Sequence, residues 1–374
     1  MRSNATVTTA ENPEYLSQQL ITYLGNKRAL LAFIGAGVAR VRARLGQRKL
    51  TTLDAFSGSG VVARYLRRDS DRLIVNDCEA YSAVINRCYL ANSTADLLAE
   101  LNAHHAELLA QIRVHGLKPG FIAELYAPAD DAAIQPHDRV FYTTRNARYL
   151  DTMRQLIDGV PSYLQDFFIA PLLSQASIHA NTSGVFKGFY KDTASGMGQF
   201  GGNRRDALTR ITRDIALPLP VFSRFAVDCE VHQRDTNALM GELPDLDLAY
   251  IDPPYNQHPY GANYFMLNLL ADYQRPRGVS EVSGIPKDWR RSAYNRRAEA
   301  LAALTHLVTA VPAKFLLISF NSQGFISREA MLAMLSGVGK TTVLETEYNA
   351  FRGSRNLRNR EIHVREFLFL VEKA

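Results

Sequence analysis

At 374 residues, 47% hydrophobic and 21% charged, the chain has the composition of a globular protein with a substantial core and room for an insertion. No apolar run approaches the roughly 20 residues that span a bilayer, and residues 1–13 are polar without an export signal, so the expectation is a cytoplasmic protein without membrane contact. Cys78, Cys88 and Cys229 lack CxxC spacing, which points to reduced thiols and no metal site, and a formal charge of +6 permits a polyanionic partner without demonstrating one.

In chain order, Tyr23-Leu24-Gly25-Asn26-Lys27-Arg28 is a basic turn ahead of an apolar segment, residues 29–41, that starts a helix after Asn26. Arg40, Arg42, Arg44, Arg48 and Lys49 follow as a basic cluster, expected to be a solvated face. Residues 51–60 read as a strand entering a glycine loop, with residues 61–68 as the helix behind it. Gly58, Gly60 and Ala63 satisfy the dinucleotide pattern G-x-G-x-x-A. Asp54 at the loop entrance points elsewhere: a carboxylate there repels a pyrophosphate but can accept from the ammonium of a methionine moiety. Residues 72–77 supply a second strand ending in Asp77, which can take both hydroxyls of a ribose or cap the helix expected over residues 80–90.

Residues 93–111 are rich in Ala, Leu and Glu at helical spacing, and residues 163–178 carry apolar residues at helix-like intervals. Between about residues 95 and 225 the alternation of strand and helix stops. Residues 181–202 interleave glycine, aromatic and basic residues, Lys187 and Lys191 among them, and Arg204, Arg205, Arg210 and Arg213 follow. Such a loop suits approach to a phosphate backbone and to bases; a solvated surface loop has the same composition. Residues 226–231 read as another strand, with Asp235 just beyond it.

The stretch from Leu246 to Tyr255 organises the rest. An apolar run bounded by Pro244 reads as a buried strand, and Asp252-Pro253-Pro254-Tyr255 ends it. Two prolines fix φ and remove two backbone donors, leaving a stiff corner where open α/β sheets place ligands. Its carboxylate and carbonyls can accept hydrogen bonds from an amino group, and its ring can stack on the flat ring that carries the amine. A polar turn capping a core strand is the plain alternative. Tyr260, Tyr264 and Phe265 crowd next, as core or as a second aromatic wall. Residues 274–297 form a polar, Pro- and Arg-rich loop; residues 314–320 and 367–371 are further strands, with Arg352, Arg355, Arg358 and Arg360 as a basic patch between them.

Asp252-Pro253-Pro254-Tyr255 resembles motif IV of the amino-methyltransferases, with Asp in first place as in adenine-modifying members. The loop from Asp54 to Gly60 resembles motif I of S-adenosylmethionine (AdoMet) methyltransferases, and residues 23–28, Asp77 and Asp235 resemble motifs X, II and III. Their order is that of the alpha-group, Dam-like N(6)-adenine DNA methyltransferases, from about residue 15 to the end, although Tyr23 and Asn26 stand where motif X often has Trp and Gly. The resemblance implies an α/β fold, a doubly wound Rossmann-like sheet of about seven strands. Residues 15–95 and 226–374 would form the methyltransferase domain, and residues 96–225 an inserted target-recognition domain. It implies AdoMet contacts from Tyr23, Lys27, Asp54, Phe56, Ser57, Gly58, Ser59, Gly60, Asp77 and Asp235, with Lys27 on the cofactor's carboxylate. It implies catalysis by Asp252, Pro253, Pro254 and Tyr255 on the N(6) amine of a flipped-out adenine. Lys187, Lys191, Arg204, Arg205, Arg210 and Arg213 would contact double-stranded DNA, and a cognate restriction endonuclease would be the companion. The residues leave other readings open: a cytosine-N4 or RNA adenine methyltransferase, a NAD-dependent oxidoreductase, or a non-catalytic DNA-binding module.

Overall fold

Five parallel strands and one antiparallel pairing on each side of a sixth build a single sheet, in a computed structural model that describes residues 10–205, 207–349 and 363–374. Arg352, Arg355, Arg358 and Arg360 lie outside the described residues. The strands are β1 (Leu50–Asp54), β2 (Ser70–Asn76), β3 (Asp228–His232), β4 (Leu246–Ile251), β5 (Ala313–Asn321), β6 (Gly339–Asn349) and β7 (His363–Lys373). Their spatial order is β3-β2-β1-β4-β5-β7-β6. This is the doubly wound, Rossmann-like α/β sheet expected from the sequence.

Side chains alternate across the pleat, and both faces are covered. From β5, Phe315 and Leu317 pack with Ile34, Val38 and Val41 of the Leu31–Arg44 helix. Leu316 and Ile318 point the other way, onto Leu304 and Leu307 of the Arg297–Ala310 helix and Met331 and Leu335 of the Arg328–Ser336 helix. Strand β6 was not anticipated. It is an edge strand paired only with β7, and none of its described side chains is fully buried, so its sequence carries no apolar signature. The basic cluster is not simply solvated: Arg42 pairs with Asp69 at 2.7 Å, Arg48 with Asp247 and Arg44 with Glu372.

Among the described residues no strand falls between Asn76 and Asp228; helices Ala95–His115, Thr144–Ile157 and Ser162–His179 occupy the interval. Their core residues, such as Leu101, Leu150, Phe168 and Leu172, are continuous with Tyr81 and Ile85 of the Ala80–Tyr89 helix and with Phe265 and Leu270 of the Phe265–Asp272 helix. The Ser162–His179 helix is apolar nearly all round, so it needs neighbours on every side and takes them from both flanks of the insertion. No helix among the described residues is long and apolar enough to cross a membrane.

Candidate active site

The chain leaves β1 in one direction across the sheet and reaches β4 from the other, which opens a crevice at the carboxyl ends of these two neighbours. Here β1 ends in Asp54, Asp77 follows β2, and β4 delivers Asp252. A cavity of about 290 Å³ lies at this edge. Every catalytic and cofactor residue expected from the sequence lines it except Gly60.

The glycine loop is tied to β2. Ser57 N donates to the Asn76 carbonyl at 3.0 Å, and Gly58 N to Asp77 Oδ2 at 2.8 Å. Gly58 has φ +51°, and a Cβ there would lie 2.7 Å from the Tyr23 ring. That ring packs at 4.9–5.0 Å in a cluster with Tyr260 and Tyr264, so it has little freedom to withdraw. Gly60, at φ +72°, precedes the Val61–Leu66 helix as its left-handed cap, a turn-forming role away from the cavity wall. Asp77 Oδ1 accepts from Glu79 N at 2.9 Å, so this carboxylate clasps both the glycine loop and the start of the next helix. Asp77 also lines the cavity. Asp235 likewise caps its helix, through Ala238 N at 3.1 Å, while lining the cavity. Asp54 is fully buried, and neither of its oxygens meets a side-chain donor; only the backbone N–H groups of Phe56 and Ala63 favour its charge. Burial, then the charges of Asp252 and Asp77, hold its carboxyl well above the usual range.

At the Asp-Pro-Pro-Tyr corner, Asp252 Oδ1 lies 2.9 Å from Lys27 Nζ, and Glu366 Oε1 lies 3.5 Å from the same ammonium. Lys27 is 3% exposed. Burial works against its charge, yet Asp252 and Glu366 together raise it well above an ordinary lysine. Two acids, Asp252 just after β4 and Glu366 in β7, thus engage the ammonium expected to hold a cofactor carboxylate. Burial pushes Asp252 up to about 6, with Lys27 opposing and Glu366 reinforcing the shift. Tyr255 is 9% exposed, edge-on to Phe320 at 5.5 Å, with Lys27 Nζ 5.4 Å from its ring centre. Of the aromatics that follow, Tyr264 and Phe265 are core, whereas Tyr260 lines the cavity.

Several residues here escaped the sequence reading. Glu79 lines the cavity, accepts from Asn268 Nδ2 at 2.6 Å and is pushed up to about 7 by burial. Arg290, Arg291, Tyr294 and Asn295 reach the cavity from the polar loop, Arg290 donating to the Cys78 carbonyl. Composition alone describes such a loop and does not say which of its residues fold inward. Glu366 left only a faint signal, an acid directly ahead of the apolar run of residues 367–371.

The glycine-, aromatic- and basic-rich segment, residues 181–213, packs beside this site. Phe186 is buried, and its N–H donates to the Asn263 carbonyl at 2.7 Å; the neighbouring Lys187 is exposed, and its charge reaches His258 after the Asp-Pro-Pro-Tyr corner. Residues 190–199 form a tight hairpin, bridged at Lys191 and Gly198 and closed by Asp192 accepting from Ala194 N and Ser195 N. Lys191, Arg204, Arg205 and Arg213 are exposed. Arg210 is not: its guanidinium donates to the carbonyls of Ile178, Ala180 and Thr182, satisfying the end of the Ser162–His179 helix. Those bonds remove Arg210 from the residues suited to reach a phosphate.

A family model described as D12 class N6 adenine-specific DNA methyltransferase matches residues 23–282. The Type II methyltransferase M.NlaIII of Neisseria lactamica is 26% identical over 364 residues, covering 95% of this chain and 100% of its own length. M.CviAII, a Type II methyltransferase of Paramecium bursaria Chlorella virus 1, is 26% identical over 359 residues, covering 94% and 98%. The modification methylase StsI of Streptococcus sanguinis is 23% identical over 368 residues, which cover 94% of this chain and 52% of that protein.

Proposed function

Because this chain belongs to the D12 class N6 adenine-specific DNA methyltransferase family, we propose that the cavity between β1 and β4 is where it methylates the N(6) amine of an adenine drawn out of duplex DNA. The enzyme is an adenine-specific DNA methyltransferase; the modification arm of a restriction–modification system, opposite a cognate endonuclease, is its proposed setting. The observation that carries the site assignment is Asp252 at the end of β4, with Oδ1 held by a buried lysine and the side chain 16% exposed toward the cavity.

AdoMet, when bound, supplies a methyl group on a cationic sulfonium. The residues present fit such a molecule: Asp54, Asp77, Glu79 and Asp235 line the cavity, and Asp54 is a buried acid with no side-chain donor. Leaving it so is costly, and an ammonium would satisfy it. Asp77 would take the ribose hydroxyls and Asp235 the adenine amine of the cofactor, with Phe56, Ser57, Ser59 and Tyr23 as walls.

The target amine is a poor nucleophile because its lone pair is delocalised into the base. Asp252 and the Pro253 carbonyl would each accept a hydrogen bond from one of its N–H groups, drawing the nitrogen toward tetrahedral geometry and freeing the pair; the methylated nitrogen would then give up one proton, by way of Asp252 to solvent. Alignment of reactants can contribute up to about 7–11 kcal/mol. A duplex hides this amine, so the base must leave the stack at a cost of a few kcal/mol. Tyr255 and Tyr260 supply aromatic surface that would offset roughly 1–3 kcal/mol of it. Incubation with tritiated AdoMet and duplex DNA, followed by nucleoside analysis, should place the label in N(6)-methyladenine. Label in N4-methylcytosine, or in RNA alone, would overturn the substrate assignment.

Affinity for the phosphate backbone should come from Lys187, Lys191, Arg204, Arg205 and Arg213. Replacing Lys191, Arg204, Arg205 and Arg213 with Ala should weaken binding to all sequences and flatten the salt dependence by about one unit per lost contact. Arg210→Ala should instead lower the melting temperature and leave the slope unchanged. Unaltered affinity and slope in the quadruple variant would make these residues an ordinary solvated surface.

A further inference from the structure

We propose that Glu366 is a positioning residue for methyl transfer: it shares the Lys27 ammonium with Asp252, so that lysine engages one Asp252 oxygen and the other is left for the substrate amine. The proposal rests on the assignment of Asp252 above.

The fold explains how a residue so late in the chain arrives here. Strand β7 runs antiparallel between β5 and β6, so its beginning, not its end, lies at the edge where β4 delivers Asp252. Glu366 sits opposite Asn321 at the end of β5, 1% exposed. Ser319 Oγ donates to its Oε1 at 2.6 Å, the same oxygen that faces Lys27, while Oε2 is buried with no hydrogen-bond partner. A half-satisfied buried acid destabilises a strand that Leu or Phe would fill better. Its place in the fold is therefore not accounted for by packing.

The geometry accounts for it. A lysine with a single carboxylate is free to bridge both oxygens and so block the acceptor. A second acid pulls the ammonium aside, and here Nζ contacts Oδ1 of Asp252 and Oε1 of Glu366 together. The titratable groups facing Asp252 and Lys27 are Glu366 from β7, Asp54 from β1, Tyr250 from β4, and Tyr255 and Tyr260 beyond the corner. Glu366 adds negative charge beside Asp252 and Lys27 adds positive charge, so removing them should move the Asp252 titration in opposite directions.

The test follows single-turnover methylation against pH, together with direct titration of the Asp252 carboxyl by carbon-13 NMR in cofactor-free protein, assigned with Asp252→Asn. Glu366→Gln keeps shape and the Ser319 bond; it should lower the midpoint from near 6 by about one pH unit or more. Lys27→Gln should raise it. The double variant, which removes both charges and leaves no unpaired ion of the pair, should fall between the two even if one single variant folds poorly. Glu366→Asp retains the charge and should keep the midpoint near the wild-type value. Overturning results are a double variant titrating like Lys27→Gln, or Gln and Asp variants that lose rate equally with no change of midpoint; Glu366 would then be packing. Should Asp252→Ala methylate normally, the site assignment fails instead, a different outcome.

Discussion

Asp252→Ala should lose about 10³-fold or more in single-turnover methylation while binding AdoMet and DNA nearly as well as the wild type. The carboxylate's assigned partner is the amine in its reacting geometry, and an interaction strongest in the transition state governs rate rather than affinity. Lys27 keeps Glu366 as a partner in this variant, at 3.5 Å, so the buried ammonium is not left alone. Asp252→Asn should show the same defect without a cavity, separating charge from packing. The wild-type rate should also carry an acid limb. Burial raises Asp252 to about 6, so below that pH the group is mostly a neutral acid and a weaker acceptor, and the rate climbs to a plateau above it. Near wild-type turnover in either variant would show that this corner is not where the chemistry occurs.

The second large effect belongs to the glycine loop. Gly58→Leu should weaken AdoMet binding by about two orders of magnitude or more, from the cost of a left-handed backbone plus overpacking. At φ +51° any side chain is strained, and its Cβ would meet the Tyr23 ring at 2.7 Å. Tyr23 is held among Tyr81, Tyr260 and Tyr264, so the clash is resolved by moving the loop that lines the cavity. Isothermal titration without DNA reads this directly. Gly60→Ala provides the contrast. Its Cβ would meet Asn86 Oδ1 at 2.7 Å, outside the cavity, so melting temperature should fall more than affinity. If the Gly58 variant bound AdoMet normally, the loop would have been misassigned.

Elements whose local pattern matched their environment were legible before folding. Strands β1, β2, β4 and β5 are buried runs with a residue that stops them, and Asp54, Asp77 and Asp252 announce themselves as acids at those stops. The chain could not reveal β6, because an edge strand with half-buried positions has no distinctive periodicity. Nor could it reveal that residues 96–225 share a core with helices on both sides, since an apolar helix does not name its partners.

Lys27, Arg210 and Glu366 mark the boundary most clearly. Sequence alone determined the order of the motifs and the residue types at the end of each strand, because these depend on neighbours within a few positions. It also determined the chemistry those types can perform. Tertiary structure decided which charge meets which. Lys27 finds Asp252 and Glu366 across more than 200 residues, and Arg210 turns inward to three carbonyls. The reason is physical: a buried charge is stable only beside its counter-charge, and the sheet, not the chain, sets which residues share that buried edge.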